Sequence, residues 1–484
     1  MKLKLIYLVF IFFINSYSQN ITLDNNFGNN GILEIPFDSS GSDVSKCKIL
    51  SNGKIIFLST RINGSNLNEV FITQINTDGT IDTTFGTNGF VFLNLQHYHD
   101  NYLKIQSDNK ILIYGDRTPA KLIRLNPNGD YDNSFATNGV LEFPNNSYHS
   151  EDNGLFSTNN IVLQTDGKIL IRFIQDLNGI IKIKRLNIDG TPDNSFATNS
   201  ELIGSVSNAI FLGNDSKILG FSSSSNSYTI EKINIDGTFD NTFGINGVMT
   251  YTLPYTDFET KYLFKDNLGR FIIEKLNLNT TLNFDAFRLN ENGELDITFG
   301  ANGFISFSDF QTLIVPIFNS NSKYYFGGST IVSNNIDNQI LMRFNDNGNI
   351  DNSFNSVGYY IESTNSINEF SESINIQSDG KILTSGEYTN GTNKKLYLIR
   401  YNSPTLGTEE FNENDIKIVN PIKTKLEITS NNNIKSISLF NIKGQLIFSN
   451  LKRGDDLQYL NQGLYVLKIK FDNGIITNYK LIKE

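Results

Sequence analysis

A short motif, Asp-x-x-Phe, constrains the fold of this chain more than any other feature, because it recurs seven times. Well-preserved copies read IDTTFGTNGFV, FDNTFGINGVM and LDITFGANGFI. The motif aspartates are Asp24, Asp82, Asp132, Asp193, Asp240, Asp296 and Asp351. Successive copies are 47 to 61 residues apart, and this unequal spacing is typical of units whose loops vary in length rather than of a rigidly stacked solenoid.

Two other elements recur between the copies. Segments such as QTDGKILIRF place Asp-Gly or Asp-Asn between apolar runs, and these dipeptides supply the positive φ angles of a tight hairpin turn. Segments such as LIRLNPNG alternate apolar and polar residues before a second turn. Each unit is therefore predicted to form about four short strands, at a period near that of β-propeller blades. We predict an all-β fold with a seven-bladed β-propeller over residues 24–402.

The two ends of the repeat array are offset. The copy at residues 24–33 has no segment of the LIRLNPNG type before it, whereas the last such segment, LYLIRYNSP, has no Asp-x-x-Phe after it. The first segment is therefore expected to complete the last blade, which would protect the open sheet edges.

The repeated motif suits either a calcium site or a structural joint. Two segments have the alternating oxygen side chains of calcium loops, namely Asn76, Asp78, Gly79 and Asp82, and Asn187, Asp189, Gly190 and Asp193. The same residues suit a turn whose aspartate caps backbone N–H groups, and Asn128, Asn292 and Asn347 replace the middle acid in three units. The aromatic position supplies rings for a core, at Phe85, Phe135, Phe196, Phe243, Phe299 and Phe354. We interpret the motif as a joint and expect no metal site and no cofactor.

The repeat resembles the Delta-60 repeat, a family of secreted bacterial repeats with a DGxxDxxFGxxG core. The resemblance covers residues 24–402, and Ser200, Asn355 and Ser356 depart from the pattern. The family implies a repeat architecture and no particular reaction.

The first residues have the pattern of a secretory signal peptide. Lys2 and Lys4 precede an apolar run from Leu5 to Ile14, and small residues follow at Ser16 and Ser18. The run is shorter than the roughly 20 residues that span a bilayer. We predict a signal peptide at residues 1–18 and no membrane span in the mature chain.

The chain changes character after a polar linker at residues 403–415. Residues 416–484 contain strand-like stretches such as IKSISLFNIKGQLIF and GLYVLKI, which predict a small immunoglobulin-like β-sandwich. The segment resembles the C-terminal sorting domain of the type IX secretion system, and the matching residues are Asn420, Pro421, Gly444, Gly463, Tyr465, Lys480 and Lys483. The resemblance implies that the secretion machinery is a partner and that the protein is secreted or lies on the outer cell surface. An ordinary immunoglobulin-like binding module is the alternative.

Composition and motifs argue against several function classes. The formal net charge of −10 disfavours nucleic-acid binding. A single cysteine, Cys47, excludes an intramolecular disulfide. The histidines His97 and His99, with Asp100 and His149, are interpreted as loop residues rather than metal ligands. If the protein were an enzyme, the candidate acids are those that break the repeat pattern: Glu151, Asp152 and Glu274.

These features together predict a secreted or surface-displayed propeller that acts as a binding or adhesion scaffold for carbohydrate or protein, and no catalytic residues are assigned. The alternatives are a polysaccharide-degrading hydrolase or lyase, and a structural surface-layer component. An enzyme would gather the unit-breaking acids at one channel mouth, whereas a binder would expose an aromatic patch.

Overall fold

The computed structural model describes residues 21–38, 46–62, 68–95, 101–115, 119–143, 160–175, 180–203, 209–223, 227–252, 258–277, 284–307, 313–318, 322–333, 336–362, 367–390, 393–402, 416–430, 433–441, 445–471 and 476–484. The described residues form 35 strands, β1 to β35, and contain no helix. Two compact units contain them, one over Asn20–Ser403 and the other including Pro404–Glu484. Within the described residues no helix has the length and apolar character needed to cross a membrane.

The described part of the first unit contains seven antiparallel sheets. Sheet 1 comprises β3 Lys46–Ile49, β4 Ile55–Ile62, β5 Asn68–Ile75 and β6 Phe90–Leu93. Sheet 2 comprises β7 Asn101–Ile105, β8 Ile111–Gly115, β9 Lys121–Leu125 and β10 Val140–Glu142. Sheet 3 comprises β11 Ile161–Leu163, β12 Ile169–Gln175, β13 Ile180–Leu186 and β14 Glu201–Ile203. Sheet 4 comprises β15 Ala209–Leu212, β16 Ile218–Ser223, β17 Ser227–Ile233 and β18 Val248–Thr252.

The remaining three sheets repeat the same order of strands. Sheet 5 comprises β19 Phe258–Lys265, β20 Phe271–Asn277, β21 Phe284–Leu289 and β22 Phe304–Phe307. Sheet 6 comprises β23 Leu313–Phe318, β24 Lys323–Ser333, β25 Ile336–Asn345 and β26 Tyr359–Glu362. Sheet 7 comprises β27 Ile367–Ile376, β28 Ile382–Asn390 and β29 Asn393–Asn402, with β1 Thr22–Leu23 and β2 Ile32–Asp38.

The N-terminal strands complete the last sheet. Both β1 and β2 pair antiparallel with β29, for example Leu23 with Tyr401 and Leu33 with Leu398. This is the pairing that the offset of the repeat predicts. Ile21, just ahead of β1, is also buried.

The core lies between the sheets. One cluster of buried side chains lies between each pair of consecutive sheets, and another lies between sheet 7 and sheet 1. Strand β4 shows the consequence, because Ile55, Ile56, Phe57 and Leu58 are all completely buried. A strand that is covered on both faces reads as a continuous apolar run rather than as an alternation. Neighbouring first strands make contact at β3–β7, β7–β11, β11–β15, β19–β23 and β23–β27, and β27 contacts β3.

The second unit has a core of its own. Strand β30 Ile416–Ile418 pairs with β31 Ile428–Ser430. A four-stranded sheet has the order β33 Leu446–Phe448, β32 Ile434–Asn441, β34 Gly463–Phe471 and β35 Ile476–Lys483. The buried residues of this second unit include Leu426, Leu439, Leu467 and Leu481.

Candidate functional site

One oxygen of each motif aspartate closes the turn of its own motif. In sheet 3, Asp193 Oδ1 accepts hydrogen bonds from the Ser195 amide at 3.0 Å and the Ser195 hydroxyl at 2.7 Å. The same two bonds recur from Thr84 to Asp82, Ser134 to Asp132, Thr242 to Asp240, Thr298 to Asp296 and Ser353 to Asp351. The aspartate therefore acts as the cap that the sequence pattern predicts.

The second carboxylate oxygen receives cations from two other places in the repeat. Asp193 Oδ2 lies 2.7 Å from Arg185 Nε and 3.0 Å from Lys168 Nζ. The arginine stands eight residues before the aspartate, and the same spacing occurs in Arg124–Asp132, Arg288–Asp296 and Arg343–Asp351. In sheet 7 the equivalent pair joins the two ends of the unit, Arg400 and Asp24. The lysine comes from the first hairpin turn, and equivalent pairs are Lys54–Asp82, Lys110–Asp132, Lys217–Asp240, Lys323–Asp351 and Lys381–Asp24.

The motif phenylalanine packs beneath the same arginine. The Arg185 guanidinium carbon lies 4.7 Å from the centre of the Phe196 ring. Phe27, Phe85, Phe135, Phe196, Phe299 and Phe354 are buried. Phe243 is only partly buried. A lysine replaces the arginine in this repeat, and Lys232 Nζ lies 5.7 Å from the centre of the Phe243 ring.

The motif also reaches the next sheet. Arg185 Nη1 donates to the carbonyl of Ile235, and the Ala197 amide donates to the carbonyl of Asp236 at 2.7 Å. Both acceptors lie in the second turn of sheet 4. At the closure, Arg400 Nη1 donates to Thr77 O at 2.5 Å and Gly28 N donates to Asp78 O at 2.8 Å, which joins sheet 7 to sheet 1. The motif is therefore a joint between consecutive sheets.

A glycine is required where the two sheets meet. Gly79 has a φ of +85°, and a Cβ atom there would lie 2.3 Å from Gly28 N. Both the backbone conformation and the close approach of the neighbouring motif exclude a side chain at this position.

The joint favours ionised carboxylates. Burial alone would raise the pKa of Asp193, but hydrogen bonds from Ser195 and Lys168 and the charge of Arg185 outweigh burial and hold that pKa well below its usual range. Asp132 behaves in the same way with Ser134, Lys110 and Arg124.

The calcium-like segments use their oxygens internally. Asp78 Oδ1 accepts from the Thr80 amide at 2.9 Å and its hydroxyl at 2.7 Å, and Asp189 makes the same bonds to Thr191. Asn76 and Asn187 donate to these hydroxyls. No group of three or more His, Cys, Asp or Glu residues that could hold a metal ion occurs in the described part of the chain.

Most of the candidate titratable residues cannot be placed. Glu274 lies on β20 and is 4% exposed, so it belongs to the interior of the first unit. His97, His99, Asp100, His149, Glu151 and Asp152 lie outside the described residues.

An aromatic cluster lies where the chain closes on itself, and sequence reasoning missed it. The ring centres of Phe37, on β2, and Phe90 lie 4.8 Å apart. The Arg61 guanidinium carbon lies 4.3 Å from the centre of the Phe37 ring and 4.0 Å from the centre of the Phe92 ring. Glu69 accepts two hydrogen bonds from Arg61, at 3.1 and 3.0 Å. Phe92 is 43% exposed. We call Phe37, Phe90, Phe92, Arg61 and Glu69 the aromatic seam.

In the second unit, an asparagine fixes the last strand. Asn420 Nδ2 donates to Lys480 O at 2.8 Å, and Asn420 Oδ1 accepts from Ile482 N at 2.8 Å. Tyr465 donates its hydroxyl to Asn461 O at 3.0 Å. Gly444 lies outside the described residues.

Two family descriptions match the chain. Residues 420–484 match the secretion system C-terminal sorting domain. Residues 50–85, 106–135, 320–354 and 377–403 match the domain of unknown function DUF5122, described as a β-propeller. No curated protein matches the chain.

Solved structures resemble the chain only distantly. A PQQ-bound aldose sugar dehydrogenase from Streptomyces coelicolor has 11% identity and a TM-score of 0.35, over 63% of this chain and 96% of that one. A protein of unknown function from Dyadobacter fermentans has 8% identity and a TM-score of 0.38, over 77% and 99%. An ulvan lyase has 11% identity and a TM-score of 0.39, over 79% and 95%. These values say nothing about the chemistry of this chain.

The two family matches fall in different units of the chain: the DUF5122 segments lie in the first unit, which contains the joints, and the sorting-domain match lies in the second. The Asp-x-x-Phe joints link sheets within the first unit, and the sorting-domain match falls in the second unit. The chain is therefore a β-propeller repeat protein with DUF5122 segments, and its C-terminal sorting domain directs it through the type IX secretion system to the cell surface or the extracellular space.

Proposed function

We propose that the protein is a seven-bladed propeller that acts at the cell surface as a binding or adhesion scaffold for carbohydrate or protein. Seven sheets support the blade number, and the contact of β27 with β3 supports a closed ring. In this proposal each sheet is one blade, and the first strands line the central channel.

We also propose the division of the chain. Residues 1–18 are the signal peptide, 24–402 the propeller, 403–415 the linker and 416–484 an immunoglobulin-like sorting sandwich. The separate core of the second unit, with β30–β31 beside the four-stranded sheet, supports a sandwich. The buried Ile21 supports signal cleavage ahead of it, because the residue belongs to the folded protein.

The aromatic seam is the observation that carries the binding role. Phe92 exposes an apolar ring, and the hydrogen-bonded pair of Arg61 and Glu69 lies beside it. A flat apolar ring flanked by polar groups suits a sugar ring, whose faces are apolar and whose edges are hydroxyls. The same combination is frequent at protein interfaces, where aromatic residues and arginine dominate binding.

The test is a screen of the mature protein against glycans and cell-surface extracts, repeated with Phe92→Ala. Ile203→Ala is the matched control, because Ile203 lies on β14, the fourth strand of sheet 3, and is 57% exposed. We expect Phe92→Ala to weaken binding by about tenfold or more, as for an aromatic hot spot, and Ile203→Ala to bind like the wild type.

Two outcomes would overturn this function. If both variants bind like the wild-type protein, the aromatic seam is not the binding surface. If reducing ends are released from a polysaccharide during the screen, the protein is an enzyme rather than a scaffold.

A further inference from the structure

We propose that one face of the sorting domain is the docking surface for an acidic protein of the secretion machinery. The face is the outer surface of the four-stranded sheet, and the partner presents carboxylates beside apolar side chains. The domain directs the chain through the type IX system, so a component of that system must contact it. This surface belongs to the second unit alone, so it does not depend on the scaffold role proposed for the first.

The burial pattern of β34 shows which side chains point away from the core. Leu467 and Ile469 are completely buried in the core of the second unit. On the same strand, Leu464 is 42% exposed, Val466 is 36% exposed and Lys468 is exposed. Successive strand residues point to opposite faces of a sheet. The even-numbered positions of β34 therefore form its outer surface.

Strand register carries this surface onto β35. Leu464 lies opposite Ile482, which is 39% exposed. Val466 lies opposite Lys480, which is also exposed. Residues directly opposite each other in an antiparallel pair lie on the same side of the sheet. We call this surface the docking face, and its residues are Leu464, Val466, Lys468, Lys470, Lys480 and Ile482.

The docking face has an apolar part and a basic part. Leu464, Val466 and Ile482 form the apolar part, and Lys468 and Lys470 follow on the same side of β34. The four strands of the sheet contain no Asp or Glu. Among the residues that the structure describes, the three lysines of the docking face have no ion-pair partner. The face therefore presents positive charge that the domain itself does not neutralise.

Net charge indicates the kind of partner. Residues 416–484 contain 11 Lys and Arg and 5 Asp and Glu, a formal net charge of +6 in a chain whose total is −10. Interfaces bring opposite potentials together, and like charges that meet oppose binding. A second docking face would set lysines against lysines, so the face does not suit a symmetric pair of these domains. An acidic surface with apolar side chains matches both parts of the face.

The composition of the docking face favours a protein over a lipid surface. Trp and Tyr are enriched where proteins meet a membrane–water interface, and the six residues of the docking face include neither. Aliphatic side chains beside charged groups, on one flat side of a sheet, suit a second protein surface with the complementary arrangement.

The experiment measures export of the full-length chain by cell fractionation, as the share of the propeller found outside the cell. The charge-reversed variant combines Lys468→Glu with Lys470→Glu, and the charge-retaining variant combines Lys468→Arg with Lys470→Arg. Val466→Ser removes the apolar contact. The control is Lys423→Glu, because Lys423 is exposed but lies between β30 and β31, outside the four-stranded sheet. The melting temperature of each purified variant separates docking from folding.

We expect the charge-reversed variant to lower the exported share about tenfold or more, because glutamates would face the carboxylates of the partner. Val466→Ser should lower it severalfold, as the loss of an apolar contact does at an interface. The charge-retaining variant and Lys423→Glu should be exported like the wild type. All melting temperatures should match the wild-type value, since the substituted side chains lie at the surface. If charge reversal lowers stability, Lys468→Gln with Lys470→Gln repeats the comparison without added negative charge.

Carbodiimide cross-linking of intact, secreting cells tests the contact itself. The reagent joins a lysine amine to a carboxylate as an amide and takes up the released water to become a urea, so it links only groups that already touch. Cross-linked peptides, identified by mass spectrometry, should join Lys468, Lys470 or Lys480 to an Asp or Glu of a cell-envelope protein. The charge-retaining variant should lose the links from its two substituted positions and keep its export.

Three results would overturn the proposal. Normal export of the charge-reversed variant would show that the docking face is not used. Binding of the purified protein to vesicles of phosphatidylglycerol but not of phosphatidylcholine, lost on charge reversal, would assign the face to a lipid surface. A dimer in size-exclusion chromatography, also lost on charge reversal, would assign it to a second copy of the chain. None of these results alters the test of the scaffold role, because Phe92 lies in the first unit.

Discussion

At the scale of single residues, the arginine of the joint makes three different contacts at the same time. Arg185 pairs with Asp193, stacks on Phe196 and donates to a carbonyl of the next sheet. A planar guanidinium with five donors can make all three contacts at once, whereas an ammonium group cannot. Sheet 1 has Gln74 at this position, which donates only to the next turn, at Pro127 O.

We expect Arg185→Ala to lower the free energy of unfolding by about 3 to 5 kcal/mol, because it leaves the buried Asp193 charge without its main partner. The control is Lys168→Ala at the same carboxylate. Lys168 is 30% exposed, so its loss should cost about 1 kcal/mol or less. Urea unfolding measures both values, and equal losses would mean that the arginine has no special role in the joint.

Alanine substitutions at two motif phenylalanines should lower stability by different amounts, although the two residues occupy the same position in the repeat. Phe135 is completely buried, and Phe135→Ala should cost about 3 to 5 kcal/mol. Phe243 is only partly buried, so Phe243→Ala should cost less than about 3 kcal/mol. The urea midpoints of the two variants decide the comparison, and a larger loss for Phe243→Ala would contradict it.

At the scale of strands and sheets, local signals in the sequence account for most of the fold. Asp-Gly and Asp-Asn dipeptides mark the hairpin turns, and Asn109 there adopts a φ of 63°. The sequence analysis missed the joint arginine, although an arginine stands eight residues before the aspartate in four copies, at Arg124, Arg185, Arg288 and Arg343. The aromatic seam was not visible. Phe37 and Phe92 meet through the packing of different sheets, which no local pattern specifies.

Removal of residues 19–38 from the mature chain should expose the edge of β29 and leave the buried positions of Ile21, Phe27 and Ile35 empty. An uncovered sheet edge pairs readily with other chains, so we expect a lower melting temperature and self-association in size-exclusion chromatography. Addition of a peptide of residues 19–38 should restore the melting temperature. A monomeric deletion variant with an unchanged melting temperature would show that β1 and β2 do not stabilise sheet 7.

At the scale of the whole molecule, the joints together make the first unit sensitive to acid. Asp132 and Asp193 have pKa values below the usual range in the folded protein. A depressed folded-state pKa stabilises the protein above the unfolded-state value, about 3.9 for Asp, and this contribution is lost as the pH falls through the folded-state pKa. Although Gln74 and Lys232 replace the joint arginine in two repeats, the pKa is lowered for every motif aspartate: Asp24, Asp82, Asp132, Asp193, Asp240, Asp296 and Asp351.

Stability should therefore fall steeply below about pH 4. The urea midpoint measured from pH 7 to pH 2 tests this expectation. Asp193→Asn should be less stable at pH 7 and should show a shallower loss below pH 4, because one of the titrating groups is gone. A midpoint independent of pH over that range would show that the joint carboxylates contribute no net stability.

The sorting domain and the propeller have separate cores, and this separation bears on export. The tail core, which includes Leu439, Leu467 and Leu481, contains no residue of the first unit. The loss of one core should therefore leave the other folded. The first unit needs residues from Ile21 onward, so the predicted signal peptide can also be removed without loss of the propeller.

Deletion of residues 416–484 should leave the propeller with an unchanged melting temperature but inside the cell envelope, since the sorting domain directs passage through the type IX system. Cell fractionation locates the truncated chain. Asn420→Ala is a smaller change, because it removes the two hydrogen bonds from the Asn420 side chain to β35 and leaves the pairing of β35 with β34 intact. We expect it to reduce export in proportion to the loss of tail stability.

If the second unit is only an export signal, the exported wild-type protein should end within the linker at residues 403–415, and the intact mass of the protein measures this end. Normal secretion of the truncated chain, or an extracellular form that keeps Glu484, would mean that the tail works outside the cell as a module of its own.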